Sequence, residues 1–364
     1  MPQGKYFRIG YGIIIFLLIA YLATKVDYLF QPIFTIVRAL FFPFLISGVF
    51  YYILRPLVLL LEKRRINRSA SIIVLYLLVT CLITAVVLLI GPIVQRQVEM
   101  LVTNLPELVE NFRGQLTELQ QKPWAKGLFG GGGNADLTDR VATYLNQSMS
   151  TMGDRLLTFM AATTSAIVIL STIPFILFYM LKDGEKVPRI LLKWLPQRHE
   201  IEGRKILADM DDALSSYIQG QFLVSLVLGV VIFIGYSIIG MEYSLLLAIL
   251  AMVTNVIPSI GQLIGVIPSI IVAFIHSPTM VLKVIIVVTI AQQIDGNFLS
   301  PHIMGRKLDI HPLTIILLLL ISASLAGFLG MLLAVPVYAV GKLIVQHAIR
   351  LFVLRSRPEL QEKG

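Results

Sequence analysis

Between Tyr217 and Lys342 the sequence is almost wholly apolar, and the side chains there that could do ionic chemistry are few: Glu242, Lys283, Asp295, Arg306, Lys307 and Asp309. Glu242 falls in a loop, and Lys283 lies near a helix end, from which its ammonium can reach water. Asp295 differs. It stands about one turn from the end of its expected helix, beside Gln292, Gln293 and Asn297. A carboxylate among amides can bind a monovalent cation, relay a proton, or accept hydrogen bonds from the hydroxyls of a sugar-like solute. The competing reading pairs Asp295 with Arg306 or Lys307 and gives it only the task of fixing a loop. Gln219, Gln221, Asn255 and Gln262 add neutral donors and acceptors. Such a set suits a small polar solute better than a bare anion, and its competing role is hydrogen-bonding glue between helices.

Other chemistries find no support in the spacing. The histidines, His199, His276, His302, His311 and His347, lack any metal-binding interval. The glycine run at 130–133 lacks the lysine and preceding strand of a phosphate loop, so no nucleotide motif and no cofactor are expected. No Gly-x-Ser-x-Gly elbow occurs. Cys81 is the one cysteine, which rules out an intrachain disulfide.

The elements that must hold these residues follow from composition. Of 364 residues, 57% are hydrophobic and 14% charged. The mean hydropathy is +0.83. Soluble domains are nearer half apolar and a quarter charged. The chain is therefore read as an all-α integral membrane protein, and a soluble enzyme, a disordered chain and a disulfide-stapled secreted domain are excluded. The net charge of +9 does not point to nucleic acid, because the bases flank apolar segments, where they anchor helices and set orientation.

Three spanning helices are expected within 1–94: Ile9 to Thr24, Ile33 to Leu54 with a kink at Pro43, and Ser69 to Val94 capped by Ser69 or Ser71. No cleavage site follows the first, so it is read as retained. The cluster from Glu62 to Arg68 holds four bases in seven residues and marks the cytoplasmic side, with the N-terminus. Residues 95–155 read as an extracytoplasmic helical hairpin. Its first arm carries the stripe Val98, Leu101, Leu105, Leu108 and Phe112, and Pro123 and the glycine run break it. Residues 156–216 comprise a fourth span and a charged cytoplasmic or interfacial segment, in which Val187, Ile190, Leu191 and Trp194 form an apolar face. A fifth span, Tyr217 to Ile239, opens a region from 217 to 347 that reads as a transport domain, and 348–364 form a cytoplasmic tail.

That region holds two overlong apolar runs. Residues 243–275 would extend about 50 Å as one helix, against a hydrocarbon core of about 30 Å. The run is interrupted by Asn255, Pro258, Gly261, Gly265 and Pro268. Residues 313–347 are interrupted by Gly327, Gly330 and Pro336. Each reads as a re-entrant hairpin, one from outside and one from inside, with the full helix Met280 to Phe298 between them. Arg306 and Lys307 fall inside only if the first run turns back. Helix plus hairpin, followed by the same inverted, is the build of secondary transporters with a midplane site.

At these breaks the sequence resembles the AI-2E family of bacterial transporters. The matching stretches are Tyr217-Ile218-Gln219-Gly220-Gln221, Ile257-Pro258-Ser259-Ile260-Gly261, Gln292-Gln293-Ile294-Asp295-Gly296-Asn297, Leu299-Ser300-Pro301 with Met304-Gly305, and His311-Pro312-Leu313. Leu181 to Glu185 and Gly330 to Pro336 fit as well, and the likeness covers nearly the whole chain. It implies export of a small polar solute, autoinducer-2-like, across the bacterial cytoplasmic membrane. For some relatives it implies sodium or lithium efflux against protons. It further implies a homo-oligomer, with a pentamer as one form, and elevator-like movement of the hairpin domain. The sequence departs from the family pattern in two places: Asn255 stands where relatives often have an acid, and Asp295 where they usually have Glu.

Overall fold

The computed structural model describes residues 11–18 except 13 and 16, 27–121, 163–258 except 195 and 197–199, 260–303, and 310–355. All regular structure among these residues is helical. Among the described residues four helices are long and apolar enough to cross a membrane: Ala39–Glu62, Arg68–Leu101, Glu200–Ile238 and Pro278–Leu299. The chain divides into two compact units, 1–51 with 164–181, and 52–163 with 182–364.

Helix α1 runs from Asp27 to Glu62, α2 from Arg68 to Gln121, and α3 from Thr163 to Asp183 with Pro174 inside it. In the first unit, the fully buried Ser47 donates its hydroxyl to the Ile173 carbonyl at 3.1 Å, tying α1 to α3. Of the first expected span, residues 11, 12, 14, 15, 17 and 18 are helical, and the rest lies outside the described residues.

Helix α2 differs from expectation at both ends. It starts at Arg68, and the Asn67 carbonyl accepts the Ser71 N–H at 2.9 Å, so neither Ser69 nor Ser71 is the cap. It then passes Gly91 and Pro92 without a break, making the third span and the first arm of the 95–155 segment one continuous helix. Where backbone groups have little water to turn to, continuing the helix keeps them satisfied. The remainder of that segment, 122–155, lies outside the described residues, as does the tail from 356.

After α4 (Val187–Leu192), α5 runs from Glu200 to Ile238, so the charged stretch and the fifth span also share one helix. Its charged start is held by Arg55, whose guanidinium meets Asp211 at 2.6 Å.

The run from 243 to 275 is two helices, α6 (Ser244–Thr254) and α7 (Ile260–His276), packed against each other across a short turn. Gly261 and Gly265 make that packing possible. A Cβ on Gly261 would collide with the Thr254 carbonyl, and one on Gly265 would stand 2.7 Å from the Ala251 Cα. Pro258 lies in the turn, and Pro268 is accommodated inside α7. Helix α8 (Pro278–Ile294) starts cleanly. Ser277 accepts the Met280 N–H at 3.1 Å, and Pro278 occupies a first-turn position, where its missing N–H costs nothing. A π-helical turn, Asp295–Leu299, and a short helix α9, Ser300–Ile303, follow.

Helix α10, Pro312–Arg355, is interrupted at Ala326 and Gly327, where φ is −141° and +61°. Its apolar part therefore forms two short helices, Leu313–Phe328 and Gly330–Gln346. A Cβ on Gly330 would collide with the Ser322 carbonyl. Eight residues of straight helix would separate those positions by about 12 Å, so the chain bends sharply here. Pro336 is buried in the second arm.

The largest apolar cluster joins α5, α6, α7 and α8 around Leu228, Tyr236, Leu247, Ala273 and Val284. Glycines permit close helix approach here too: a Cβ on Gly229 would stand 2.7 Å from the Met252 Cβ. A smaller cluster joins the α6–α7 turn to both arms of α10, through Ile257, Leu319 and Ala334. The two breaks are thus linked by apolar contact.

Candidate functional site

Buried polar groups of the second unit gather near the α6–α7 turn in two sets. In the first, Asp295 sits at the C-cap of α8 and is 7% exposed. Its Oδ2 accepts a hydrogen bond from the Gln262 Nε2 of α7. A buried carboxylate is costly unless hydrogen-bonded, and an amide donating to a charged acceptor makes a strong bond. Asp295 also opens the π-turn, a helix form frequent at functional sites. Gln262 also borders a small, almost wholly apolar cleft with room for about one water, walled by Leu228, Ile232, Val266 and Val288 and reached by Gln292; Asp295 does not line it.

The second set lies one turn of backbone away. Asn255, 1% exposed, ends α6. Its carbonyl accepts from the Gln221 Nε2 at 2.5 Å, and its own Nδ2 donates to the Ser225 Oγ at 3.3 Å. Gln221 and Ser225 share one face of α5 by their spacing of four, and both are buried. Tyr217, a further four residues back, is buried with no hydrogen-bond partner for its hydroxyl.

The structure thus pairs Asp295 with Gln262, whose side chain shares an apolar cleft with Gln292, and separately Asn255 with Gln221. The other amides point elsewhere. Gln219 donates to the Tyr52 carbonyl and the Ser215 hydroxyl, both at 2.8 Å, tying α5 to the end of α1. Asn297 donates to the Gln293 Oε1 at 2.7 Å on an exposed face. Arg306 and Lys307, the rival partners for Asp295, lie outside the described residues, as does Asp309.

Sequence reasoning did not single out Ser225, although its place on the face of Gln221 was a usable signal. It also missed Gln97 and Asn104. The Gln97 Oε1 accepts the Leu246 N–H at 2.9 Å, capping the first turn of α6, and the Asn104 Nδ2 donates to the Tyr243 hydroxyl at 3.3 Å. The far part of α2 therefore braces the start of the turned-back segment. Among the described residues no group of three His, Cys, Asp or Glu could hold a metal.

Long apolar helices, two broken apolar runs and a buried carboxylate held by an amide define a polytopic helical membrane protein with a polar centre. The comparisons narrow that class. The profile described as AI-2E family transporter matches residues 12–350, and the chain belongs to that family. It is 42% identical over 358 residues to YueF of Bacillus subtilis (strain 168), named as a candidate transport protein, covering 97% of this chain and 96% of that one. YrrI of the same strain, named likewise, is 34% identical over 340 residues, covering 92% and 94%. PerM of Escherichia coli (strain K12), named as a candidate permease, is 28% identical over 313 residues, covering 84% and 86%.

Proposed function

We propose that this chain is a secondary exporter of a small polar solute, autoinducer-2-like, in the bacterial cytoplasmic membrane. The observation that carries the reading is the bond from Gln262 to Asp295. It joins the arm of a turned-back apolar segment to the discontinuous end of a long apolar helix, beside the cleft lined by Gln292. A hydroxylated solute competes for the same carboxylate oxygens, so its binding releases α7 from α8. Occupancy of the site and freedom of the hairpin are thereby coupled. The site is built of amides, one carboxylate and a break in regular helix, the chemistry by which discontinuous helices hold solutes. No nucleotide motif occurs in the sequence, which fits transport along a gradient or against protons.

On this reading the 243–275 and 313–347 segments are re-entrant hairpins entering from opposite faces, related by an inverted repeat. Both termini are cytoplasmic, in keeping with the bases at 63–65. The protein acts as a homo-oligomer, as the family resemblance implies. Liposomes loaded with labelled autoinducer-2 and containing the purified protein should release it faster than equally loaded protein-free liposomes, without net sodium movement. Sodium flux against protons with no movement of the labelled solute would overturn the reading in favour of a cation antiporter.

A further inference from the structure

Exposed apolar side chains cover the spanning helices and the short apolar helices, as lipid contact requires, and a further exposed apolar stripe lies on α4, a helix of six residues flanked by charge. In α4, Val187, Ile190 and Leu191 are exposed, and Trp194, just past its end, is 87% exposed. Their spacing of three, four and seven puts them on one face. Leu192, on the other side, is buried, and α4 packs against α5. The stripe is therefore turned away from the protein.

Its height relative to the bilayer follows from an ion pair within the same unit. Glu185, two residues before α4, meets the Arg68 guanidinium at 2.7 Å. Arg68 is the first residue of the apolar stretch that runs to Leu101. The start of α4 is thus held at the end of a spanning helix. An apolar stripe ending in tryptophan at that level matches an interfacial helix.

Basic side chains are exposed around it. Arg189 and Lys193 are exposed on α4, and Lys63, Arg64 and Arg65 are exposed at the head of α2. The nearby acids are engaged by bases: Glu62 and Glu185 by Arg68, and Asp183 by Lys186. We propose that this surface is a docking site for acidic phospholipid. The stripe inserts among the acyl chains while Arg189, Lys193 and the bases of the α1–α2 turn meet the anionic headgroups. A zwitterionic lipid would satisfy the stripe but not the bases. The site is independent of which solute the protein moves.

The sequence holds two tryptophans, Trp124 and Trp194, so Trp124→Phe leaves Trp194 as the sole indole reporter. The full chain carrying that change is placed in nanodiscs containing phospholipid brominated on its acyl chains, either phosphatidylglycerol or phosphatidylcholine, at equal mole fraction. Trp194 emission should be quenched by both, and about twofold more by the acidic lipid. Adding Arg189→Gln and Lys193→Gln should reduce the preference while leaving quenching by phosphatidylcholine, which also shows that the variant keeps its fold. Emission typical of water with no quenching would overturn the proposal. So would blue-shifted emission without quenching, which indicates a protein partner, equal quenching by the two lipids, or a preference undiminished by the double substitution.

Discussion

The amide of Gln262 donates to the carboxylate of Asp295, and that bond joins two helices whose relevant residues are 33 positions apart in sequence. Gln262→Ala removes a donor from a buried acceptor, a loss of about 1–3 kcal/mol. The variant should unfold at lower temperature in detergent than the parent and show reduced solute flux. Gln262→Glu should be worse on both counts, because it sets a second carboxylate against the first. Differential scanning fluorimetry with a flux assay checks both, and a Gln262→Glu protein as stable as the parent would contradict the geometry.

The α6–α7 packing depends on Gly265, where a side chain would stand 2.6 Å from the Thr254 hydroxyl and 2.7 Å from the Ala251 backbone. Overpacking of this kind costs about 1–3 kcal/mol. Gly265→Ala should therefore lower thermal stability clearly. Gly341→Ala, where a Cβ meets nothing within 4 Å, should not. The two melting curves measured side by side decide it.

Asn255 is anchored through both its carbonyl and its side chain. Gln221→Leu leaves the buried Asn255 carbonyl without that donor and should cost about 1–3 kcal/mol. Ser225→Ala removes only a long bond and should cost less than about 1 kcal/mol. The order of the two melting temperatures is the check.

Asp183 lies outside the spanning segments, where Lys186 meets it at 2.6 Å. The hydrogen bond from Lys186 chiefly, with the charges of Lys186, Lys182 and Arg68, holds its carboxyl below the usual carboxylate value. A depressed folded-state value means that the pair stabilises the fold above the unfolded carboxylate range and that this is lost as pH falls through the lowered value. In Lys186→Gln the Asp183 midpoint, followed by carboxyl carbon chemical shift, should rise towards the ordinary value.

Much of this architecture was legible because hydropathy and breakers carry it. The four long apolar helices follow from composition, and the interruptions at 255–261 and 326–330 were marked by Pro, Gly and Asn. The continuity of α2 through Gly91-Pro92 and of α5 through its charged start was not legible. Local signals announced a stop there, while the backbone gained by continuing. In the site, Asp295 and Gln262 were each visible as rare polar residues in an apolar run. Their pairing was not, since no sequence period links the start of α7 to the end of α8. Gln219, Gln293 and Asn297 looked equivalent to them by type, but their bonds run to Tyr52, to Ser215 and to each other. Side-chain direction set by the tertiary fold, which one sequence does not encode locally, separates the two groups.

On the proposed function, the solute is held by the carboxylate that Gln262 engages. Equilibrium binding of labelled autoinducer-2 to the purified protein, compared with Asp295→Asn and with Gly341→Ala as a remote control, tests it most directly. The account predicts binding weakened about tenfold or more by Asp295→Asn, equivalent to about 1.4 kcal/mol or more, and unchanged in the control. Equal affinity in all three proteins would contradict it.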